Sequence, residues 1–512
     1  MKVAKTIAWL TVTTVLMVSV LAGCGNGSEG GESAPSTSGE DANKSITLNM
    51  MTPQHSAWPY KEDWPIYRYI KEKTNIEFKV QVPSDDYTTA LNLAISSNEM
   101  PDIMMAPNLN AANTNGKNGA FLNYFDHLDK MPNYKKFLED NPELKSIVLS
   151  PDGKSYYLPH YGLEQQSRRS WLYRDDIFNK HNLTPPADWD EMYTTAKKLK
   201  ELYPESYPVI IYDGLSSITN ISPAFNTWFG NYIDFEKNEW RYGPIEDGFK
   251  EMLMVLNKFY EEDLIPPDFM AMKRNQFNDI LAQDKGFMAS DYIGAMDEIP
   301  VILNKTPEQF SLDYMVPPKG GANGKPYNAY GGYLGNGFAV ASNSKNIDAA
   351  LRYLDFLYSP EGIDMATWGK EGETYTVENG VRKFKPEFNG MGDLRTKTGI
   401  ATYGAHTALD MSAYDQMNTE KLNKALQQIQ QGNEAKLQPR LSFTDEENEV
   451  LNLTNTAIKK YMDEQVSKFI LGQKSFDEWD AYVAEIKKMG IDKVIAVHKA
   501  AYDRGQQFLA NN

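Results

Sequence analysis

The chain has 512 residues, 41% hydrophobic and 24% charged. That is a globular composition, too long for one ordinary core and suited to two to four domains of about 150 residues. Lys and Arg total 52 against 69 Asp and Glu, a formal charge of −17, which excludes the basic face that a nucleic-acid partner requires. Cys24 is the only cysteine, so disulfide frameworks and cysteine-built zinc or iron–sulfur sites are excluded too.

Lys2 and Lys5 precede residues 6–22, a stretch without a charge. It is short for a spanning helix, which needs about 20 residues, but suits the apolar part of a secretory signal. Leu21-Ala22-Gly23-Cys24 follows and resembles a bacterial lipobox. That resemblance implies cleavage before Cys24 and a diacylglycerol on its thiol, which makes residues 1–23 a lipoprotein signal peptide. The alternative is an uncleaved anchor helix with a chance cysteine. Residues 24–45 carry glycine, serine, proline and acids with no large apolar side chain, and read as a flexible tether. Loss of Lys2 and Lys5 leaves 50 basic residues against 69 acidic, a formal charge of −19.

In the body, Ile46-Thr47-Leu48-Asn49-Met50-Met51 alternates apolar and polar and predicts a first strand. A helix is expected from Ile66 to about Lys73, then a second strand over Ile76-Glu77-Phe78-Lys79-Val80-Gln81-Val82. Asp85 or Asp86 should cap a helix carrying Tyr87, Leu91, Leu93, Ala94 and Ile95, and Pro101 to Met105 should form a short buried strand. Strand, helix, strand, helix, strand signals a parallel sheet with helices on both faces. Near the C-terminus, Thr444-x-x-Glu447 is a capping box opening a long helix with Val450, Leu451, Leu453, Ile458 and Met462, which reads as scaffold. Lys487, Lys488 and Lys493 read as a solvated face.

Several segments, taken in order, carry a family resemblance. They are Lys73-Thr74-Asn75-Ile76 before the second strand, Ser97-Asn98-Glu99-Met100-Pro101-Asp102-Ile103, and Trp171-Leu172-Tyr173-Arg174-Asp175-Asp176 with Trp189-Asp190-Glu191. Further along come Gly286-Phe287-Met288-Ala289-Ser290 with Asp291-Tyr292, and Gly337-Phe338-Ala339-Val340-Ala341-Ser342. Glu361-Gly362 to Tyr375, Phe443 to Glu449, Lys468-Phe469-Ile470-Leu471-Gly472 and Ala501-Tyr502-Asp503-Arg504 complete the series. Over residues 46–507 the chain resembles the bacterial extracellular solute-binding proteins of family 1. Within them it is similar to the maltodextrin-binding cluster and to the long lipoproteins of Gram-positive carbohydrate ABC importers.

The resemblance implies an α/β, two-lobe periplasmic-binding-protein-like (class II) fold, each lobe a sheet flanked by helices, with a helical C-terminal extension. Lobe one would comprise residues 46–163 plus 322–376, and lobe two 164–321 plus 377–512. It further implies a lipid-anchored subunit on the outer face of the cytoplasmic membrane that captures an oligosaccharide between hinged lobes and delivers it to ABC permease subunits. The membrane would be met through the anchor only, the state would be monomeric, and no cofactor, catalysis or nucleic acid would be involved. A peptide or other-solute binder of the same fold, and a surface glycoside hydrolase or lyase, are the alternatives.

The residues themselves bear on this chemistry. The six histidines show no zinc-helix spacing, and no Gly-x-Ser-x-Gly turn occurs. Gly321-Ala322-Asn323-Gly324-Lys325-Pro326 is too short for a phosphate loop and reads as a turn. Asp234, Glu236 and Asn238 have calcium-loop spacing, but Glu239 stands where the sharp turn needs glycine, so no structural metal is expected. Aromatic residues make up 12%, many beside Gly, Pro or Asn. Sugar rings pack a C–H face on Trp or Tyr while their hydroxyls take forked donors and acceptors.

Candidate ligand contacts are therefore Trp58 and Tyr60 after the first strand, where ligands meet open α/β sheets. Arg169 and Trp171 flank the first crossing, and Trp228 lies in Phe225-Asn226-Thr227-Trp228-Phe229-Gly230. Asp291 and Tyr292 follow the family-like strand, with Tyr292 where relatives stack an aromatic on sugar. Tyr333, Trp368, Glu371 and Tyr375 lie near the later crossings. For each, packing into the body is the alternative, and Asp291 could instead cap the following helix.

Overall fold

The computed structural model describes residues 45–55, 58–84, 86–106, 108–162, 169–329 and 336–511. Strands β1 (Ile46–Met51), β2 (Ile76–Gln81), β3 (Ile103–Ala106) and β4 (Leu158–Pro159) come first along the chain. Then follow β5 (Arg169–Arg174), β6 (Val209–Ile210), the hairpin β7–β8 (Asn231–Asp234, Glu239–Tyr242), β9 (Met288–Tyr292) and β10 (Leu312–Met315). Last are β11 (Gly337–Val340) and the hairpin β12–β13 (Tyr375–Glu378, Val381–Phe384).

The predicted start is found. Helix Pro65–Thr74 joins β1 to β2, and Asp86 caps helix Tyr87–Ser96 by accepting from the Thr89 N–H at 2.8 Å. Asp85 lies outside the described residues. The first sheet has the order β2-β1-β3-β11-β4, with β1 parallel to β2 and β3 and with β11 returning antiparallel between β3 and β4. A Cβ at Gly337 would run into the Leu158 carbonyl, so the glycine lets β11 and β4 close up. The second sheet has the order β10-β5-β9-β6, where β5 is antiparallel to both neighbours and β6 runs parallel to β9. Buried Arg174 ends β5 between Asp176 and Asp284, at 2.6 and 2.7 Å, and so fixes the strand to the helix that follows.

Each sheet has its own core. Leu48, Met50, Ile103, Met104, Phe338 and Leu354 belong to the first, while Trp171, Phe225, Phe259, Met288 and Trp189 belong to a core on the second. A further cluster with Leu172, Tyr212, Phe277 and Ile299 covers the other face of the second sheet. The C-terminal helices deliver Ile458, Met462, Phe469, Trp479, Tyr482 and Val494 to the second core. One expectation needs correction. Leu394, Ile400, Ala405, Leu409 and Tyr414 pack into the first core, although residues after 376 were expected with the second lobe. Leu453 is 69% exposed, because a π-turn over Leu451–Asn455 rotates the helical face there. The Thr444–Glu447 capping box is present.

Among the described residues no helix is long and apolar enough to cross a membrane. Beneath the first sheet's edge lie two buried histidines, His160 and His406, with ring centroids 4.6 Å apart. His406 Nδ1 donates to the Thr402 carbonyl at 2.9 Å, and burial lowers its pKa to about 4; burial also pushes His160 well below its ordinary range.

Trp368 is 2% exposed, stacks on Phe384 at 4.7 Å and donates from Nε1 to Asp410 at 2.9 Å. Trp368→Ala is expected to cost about 3–5 kcal/mol in urea unfolding, and a cost under about 1 kcal/mol would contradict its place in the core. Because the folded His406 pKa lies below the ordinary 6.5, the unfolded chain binds the proton first as pH falls. The stability this histidine contributes is complete above about pH 6.5 and is lost as pH drops toward about 4. Between about pH 7 and about pH 4.5 the native protein should lose about 2 kcal/mol more than His406→Gln. Equal losses in urea titrations at the two pH values would refute that coupling.

Candidate functional site

The antiparallel register of β5 and β9 sets Arg169 opposite Tyr292 and Ser170 opposite Asp291. The Arg169 guanidinium lies 4.3 Å over the Tyr292 ring, whose 43% exposure leaves the aromatic face open to a ligand. Asp291 points to the other side of the strand and is wholly buried. Its carboxylate accepts from the Tyr212 hydroxyl at 2.6 Å and from Arg274 Nη1 at 2.5 Å, with Arg169 Nη1 at 4.0 Å. The Tyr212 hydroxyl in turn accepts from Arg169 at 3.2 Å and Arg274 at 2.9 Å, using both lone pairs. Burial first, then the Asp291 charge, raises the Tyr212 pKa, so the phenol keeps its proton. Asp213 flanks the cluster, 3.7 Å from Arg169 and 3.9 Å from Lys273.

The facing wall comes from the first sheet. After β1 the chain turns so that His55 and Trp58 stack with centroids 3.3 Å apart, and Tyr403 meets His55 edge-on at 5.6 Å. Thr52, Gln54, Trp64 and Thr402 complete a crevice around them. The Arg395 guanidinium lies 4.5 Å over the Trp58 ring and donates to the Tyr414 hydroxyl at 2.7 Å. Burial and the nearby Arg395 charge lower the His55 pKa to about 4, so the ring stays neutral near pH 7. Trp58 Nε1 and Arg395 Nε are buried without an acceptor among the described residues.

Glu298 lies on helix Ala295–Ile302, which follows β9. It is solvent-exposed, yet desolvation raises its carboxyl pKa, while the Arg274 and Arg395 charges pull the other way. Asp297 beside it accepts from the Thr419 N–H at 2.8 Å and the Thr419 hydroxyl at 2.7 Å, where the chain passes from the first core back to the second. The second-lobe wall thus presents the exposed Tyr292 ring backed by Arg169, while the Trp58 ring is covered by His55 on one face and by Arg395 on the other.

Of the sequence candidates, Trp58, Tyr60, Arg169, Asp291 and Tyr292 lie at this site. Asp291 neither caps a helix nor is accessible; it organises the wall from beneath, which corrects its expected role as a contact. Tyr60 lines the same crevice as Trp58, with its ring against Trp64 and Tyr67 at 5.7 and 6.0 Å, and its backbone N–H donates to Gln54 at 2.8 Å. Trp171 is 2% exposed against Trp189 at 5.6 Å, a core residue, because its β5 position faces the second core. Trp228 is half-buried near Tyr232 at 6.2 Å, beside the β7–β8 hairpin and without contact to the Asp291 cluster. Trp368 is likewise core rather than contact, and Tyr375 packs edge-on against it at 5.8 Å. Glu371 sits on the exposed loop before β12. That corner faces helix Pro65–Thr74 through Arg68, Glu72, Lys370 and Glu373 instead of the cleft. Tyr333 and Cys24 lie outside the described residues.

His55, Tyr212, Arg274, Glu298, Arg395 and Tyr403 are cleft residues that the sequence reading missed. Only His55 had a signal, its place in the loop after β1. Asp234, in the suspect calcium spacing, instead accepts from the Glu236 and Lys237 N–H groups and from Arg241, closing the β7–β8 turn. Among the described residues no group of three His, Cys, Asp or Glu could hold a metal ion.

Comparison with known proteins places this architecture. The chain is 23% identical to the fructooligosaccharide ABC transporter substrate-binding protein FusA of Streptococcus pneumoniae, over 98% of this chain and 99% of that one. It is 24% identical to the polygalacturonan/rhamnogalacturonan-binding protein YtcQ of Bacillus subtilis, over 97% and 99%. In fold it matches the alginate-binding protein AlgQ2 solved without calcium, at TM-score 0.76 and 22% identity, covering 90% of this chain and 99% of that one. It also matches the FusA EF-hand mutant in complex with fructo-nystose, at TM-score 0.73 and 20% identity, covering 91% and 100%. The profile of the bacterial extracellular solute-binding proteins matches residues 60–364, more than half of the sequence. With two sheets facing across a cleft and a profile match of that extent, the chain belongs to the bacterial extracellular solute-binding protein family.

Proposed function

We propose that the protein is the lipid-anchored substrate-binding subunit of an ABC importer, that it captures an oligosaccharide between its two lobes, and that it presents the closed form to a permease. The observation that carries this reading is the exposed Tyr292 ring backed by Arg169 on one wall, with the His55, Trp58 and Tyr403 cluster on the other. His55–Trp58 on one side and Arg169–Tyr292 on the other are each flanked by guanidinium or carboxylate groups. That is the chemistry of a sugar ring, with an apolar face and a polar rim. The relatives that span the whole chain are named for fructooligosaccharide transport and polygalacturonan binding, which supports the same class.

Lobe one then comprises residues 46–163 and 322–376, extended by the 394–414 segment that shares its core, and lobe two takes the remainder of 164–321 and 377–512. Trp58, Arg169 and Tyr292 contact the ligand directly, joined by His55, Tyr403, Arg395 and Glu298. The signal and Cys24 lipidation hold a monomeric body at the outer face of the cytoplasmic membrane.

The protein performs no catalysis in this reading. A glycosidase needs two carboxylates flanking one bond, a few ångströms apart. Asp291 is buried and saturated, Asp297 is held by Thr419, and the partly exposed Asp213 is engaged by Arg169 and Lys273, which leaves no matched pair of free carboxylates among these described residues.

A thermal-shift screen of the body lacking residues 1–45 tests the assignment, against mono- to hexasaccharides, amino acids and short peptides. At about 100 times the dissociation constant, linkage adds about 2.7 kcal/mol, an upward shift of a few degrees. A shift with one oligosaccharide series, without product on prolonged incubation, is the expected result. A shift only with peptides or amino acids would contradict the sugar assignment, and turnover would contradict the binding-protein assignment.

A further inference from the structure

We infer that the ligand is an acidic oligosaccharide, a sugar chain bearing carboxylates, and that Arg395 beside the Trp58 crevice receives one of those carboxylates. The inference rests on the sugar-binding reading above and deepens it.

The arginines of the second lobe are answered within the protein. Arg174 holds Asp176 and Asp284, Arg274 holds Asp291, and Arg169 lies near Asp213 and Asp291. Arg395, on helix Met391–Thr398, is different. It is nine-tenths buried, and no carboxylate reaches ion-pair distance of it among the described residues. Its guanidinium lies 4.5 Å over the Trp58 ring and 5.5 Å from the centre of the Tyr414 ring. Nη2 donates to the Tyr414 hydroxyl at 2.7 Å, buried Nε has no acceptor, and Nη1 makes no hydrogen bond among the described residues. Trp58 Nε1 is a second buried donor without an acceptor in the same stack.

Aromatic faces and one phenol offset part of the cost of taking this cation out of water, but they leave its charge unpaired and two of its nitrogens unused. A ligand hydroxyl would accept from Nη1 and leave the charge as it is. A ligand carboxylate accepts and neutralises in one contact, and a charge-assisted bond to guanidinium is about twice as strong as a neutral one. The planar fork of arginine suits that geometry better than any other cationic side chain.

The surroundings have the matching sign. None of the residues lining the crevice is acidic, and His55 on the other face of the indole is kept neutral by burial and the Arg395 charge. The lining and Arg395 together therefore carry one positive charge, in a chain whose formal charge is −17. Charges elsewhere on the surface are screened over about 8 Å at physiological salt, so the local sign decides which ligand is admitted.

The test is binding calorimetry with two probe sets. The acidic set comprises oligogalacturonides, alginate oligomers and glucuronic-acid-substituted xylo-oligosaccharides, each titrated beside its own methyl ester. The neutral set comprises tri- to hexasaccharides from fructan, arabinan, galactan, xylan, mannan and glucan. The tightest ligand should come from the acidic set and bind at least ~10-fold more tightly than its methyl ester. Arg395→Gln, checked for folding by its urea midpoint, should shrink that ratio to ~3-fold or less, and Arg395→Lys, which keeps the charge, should retain more of it than Arg395→Gln does. A neutral ligand or a methyl ester that binds as tightly as the best acid would overturn this inference while leaving the sugar-binding reading intact. An acid preference unchanged in Arg395→Gln would overturn the role of this residue. Binding of neither set would overturn the sugar reading, and this inference with it.

Discussion

A wholly buried carboxylate needs partners, and much of this cleft follows from how Asp291 obtains them. An unpaired charge in that position would be prohibitively costly, and breaking a buried pair costs about 3–5 kcal/mol. Asp291 is matched by Arg274 and the Tyr212 hydroxyl, with Arg169 at the edge of the group. These partners come from β5, from the segment after β6 and from helix Arg274–Ala282, so one carboxylate holds three separate parts of the second lobe in register. Once Arg169 is fixed in this way, it lies over Tyr292, and the exposed ring becomes a rigid platform on a strand end.

The opposite wall is built without a buried anion. His55 and Trp58 stack, Tyr403 closes the edge, and Arg395 lies on the indole with a phenol as its hydrogen-bond partner. This wall therefore keeps unused donors, whereas the Asp291 wall has used most of its own. A binding cleft benefits from that asymmetry. One wall is stiff and internally satisfied, and the other is preorganised by aromatic packing but still has hydrogen-bonding capacity for a ligand. On the stiff side, Thr419 fixes Asp297 where the chain recrosses between lobes.

Much of the scaffold was legible in the sequence because local physics determines it. The alternation in Ile46–Met51 and Ile76–Gln81, the Asp86 cap and the Thr444–Glu447 capping box are short-range signals, and each corresponds to an observed element. Leu453 is exposed on that helix because a π-turn shifts the helical phase, a shift that helical periodicity alone cannot register. The cleft was half legible. Trp58, Arg169 and Tyr292 sit at strand ends, where topology brings ligands. Trp171 and Trp368 have the same residue type and similar polar surroundings, but their positions face the cores. Residue type suggested sugar chemistry, and only the three-dimensional facing of each side chain separates platform from core. Arg274, Glu298 and Arg395 lie far apart in sequence on ordinary helices, and nothing local marks their convergence. The assignment of 394–414 failed for the same reason, since its packing on the first core is a long-range choice.

The claim on which this account depends is that one ligand touches both walls at once. Hydrogen–deuterium exchange of the protein, with and without the oligosaccharide found by the thermal-shift screen, tests it most directly. The account predicts simultaneous slowing in the segments around His55 to Tyr60, Met288 to Glu298 and Arg395 to Tyr403. Protection confined to one lobe, or centred on the crevice between Leu149 and Arg504, would contradict it.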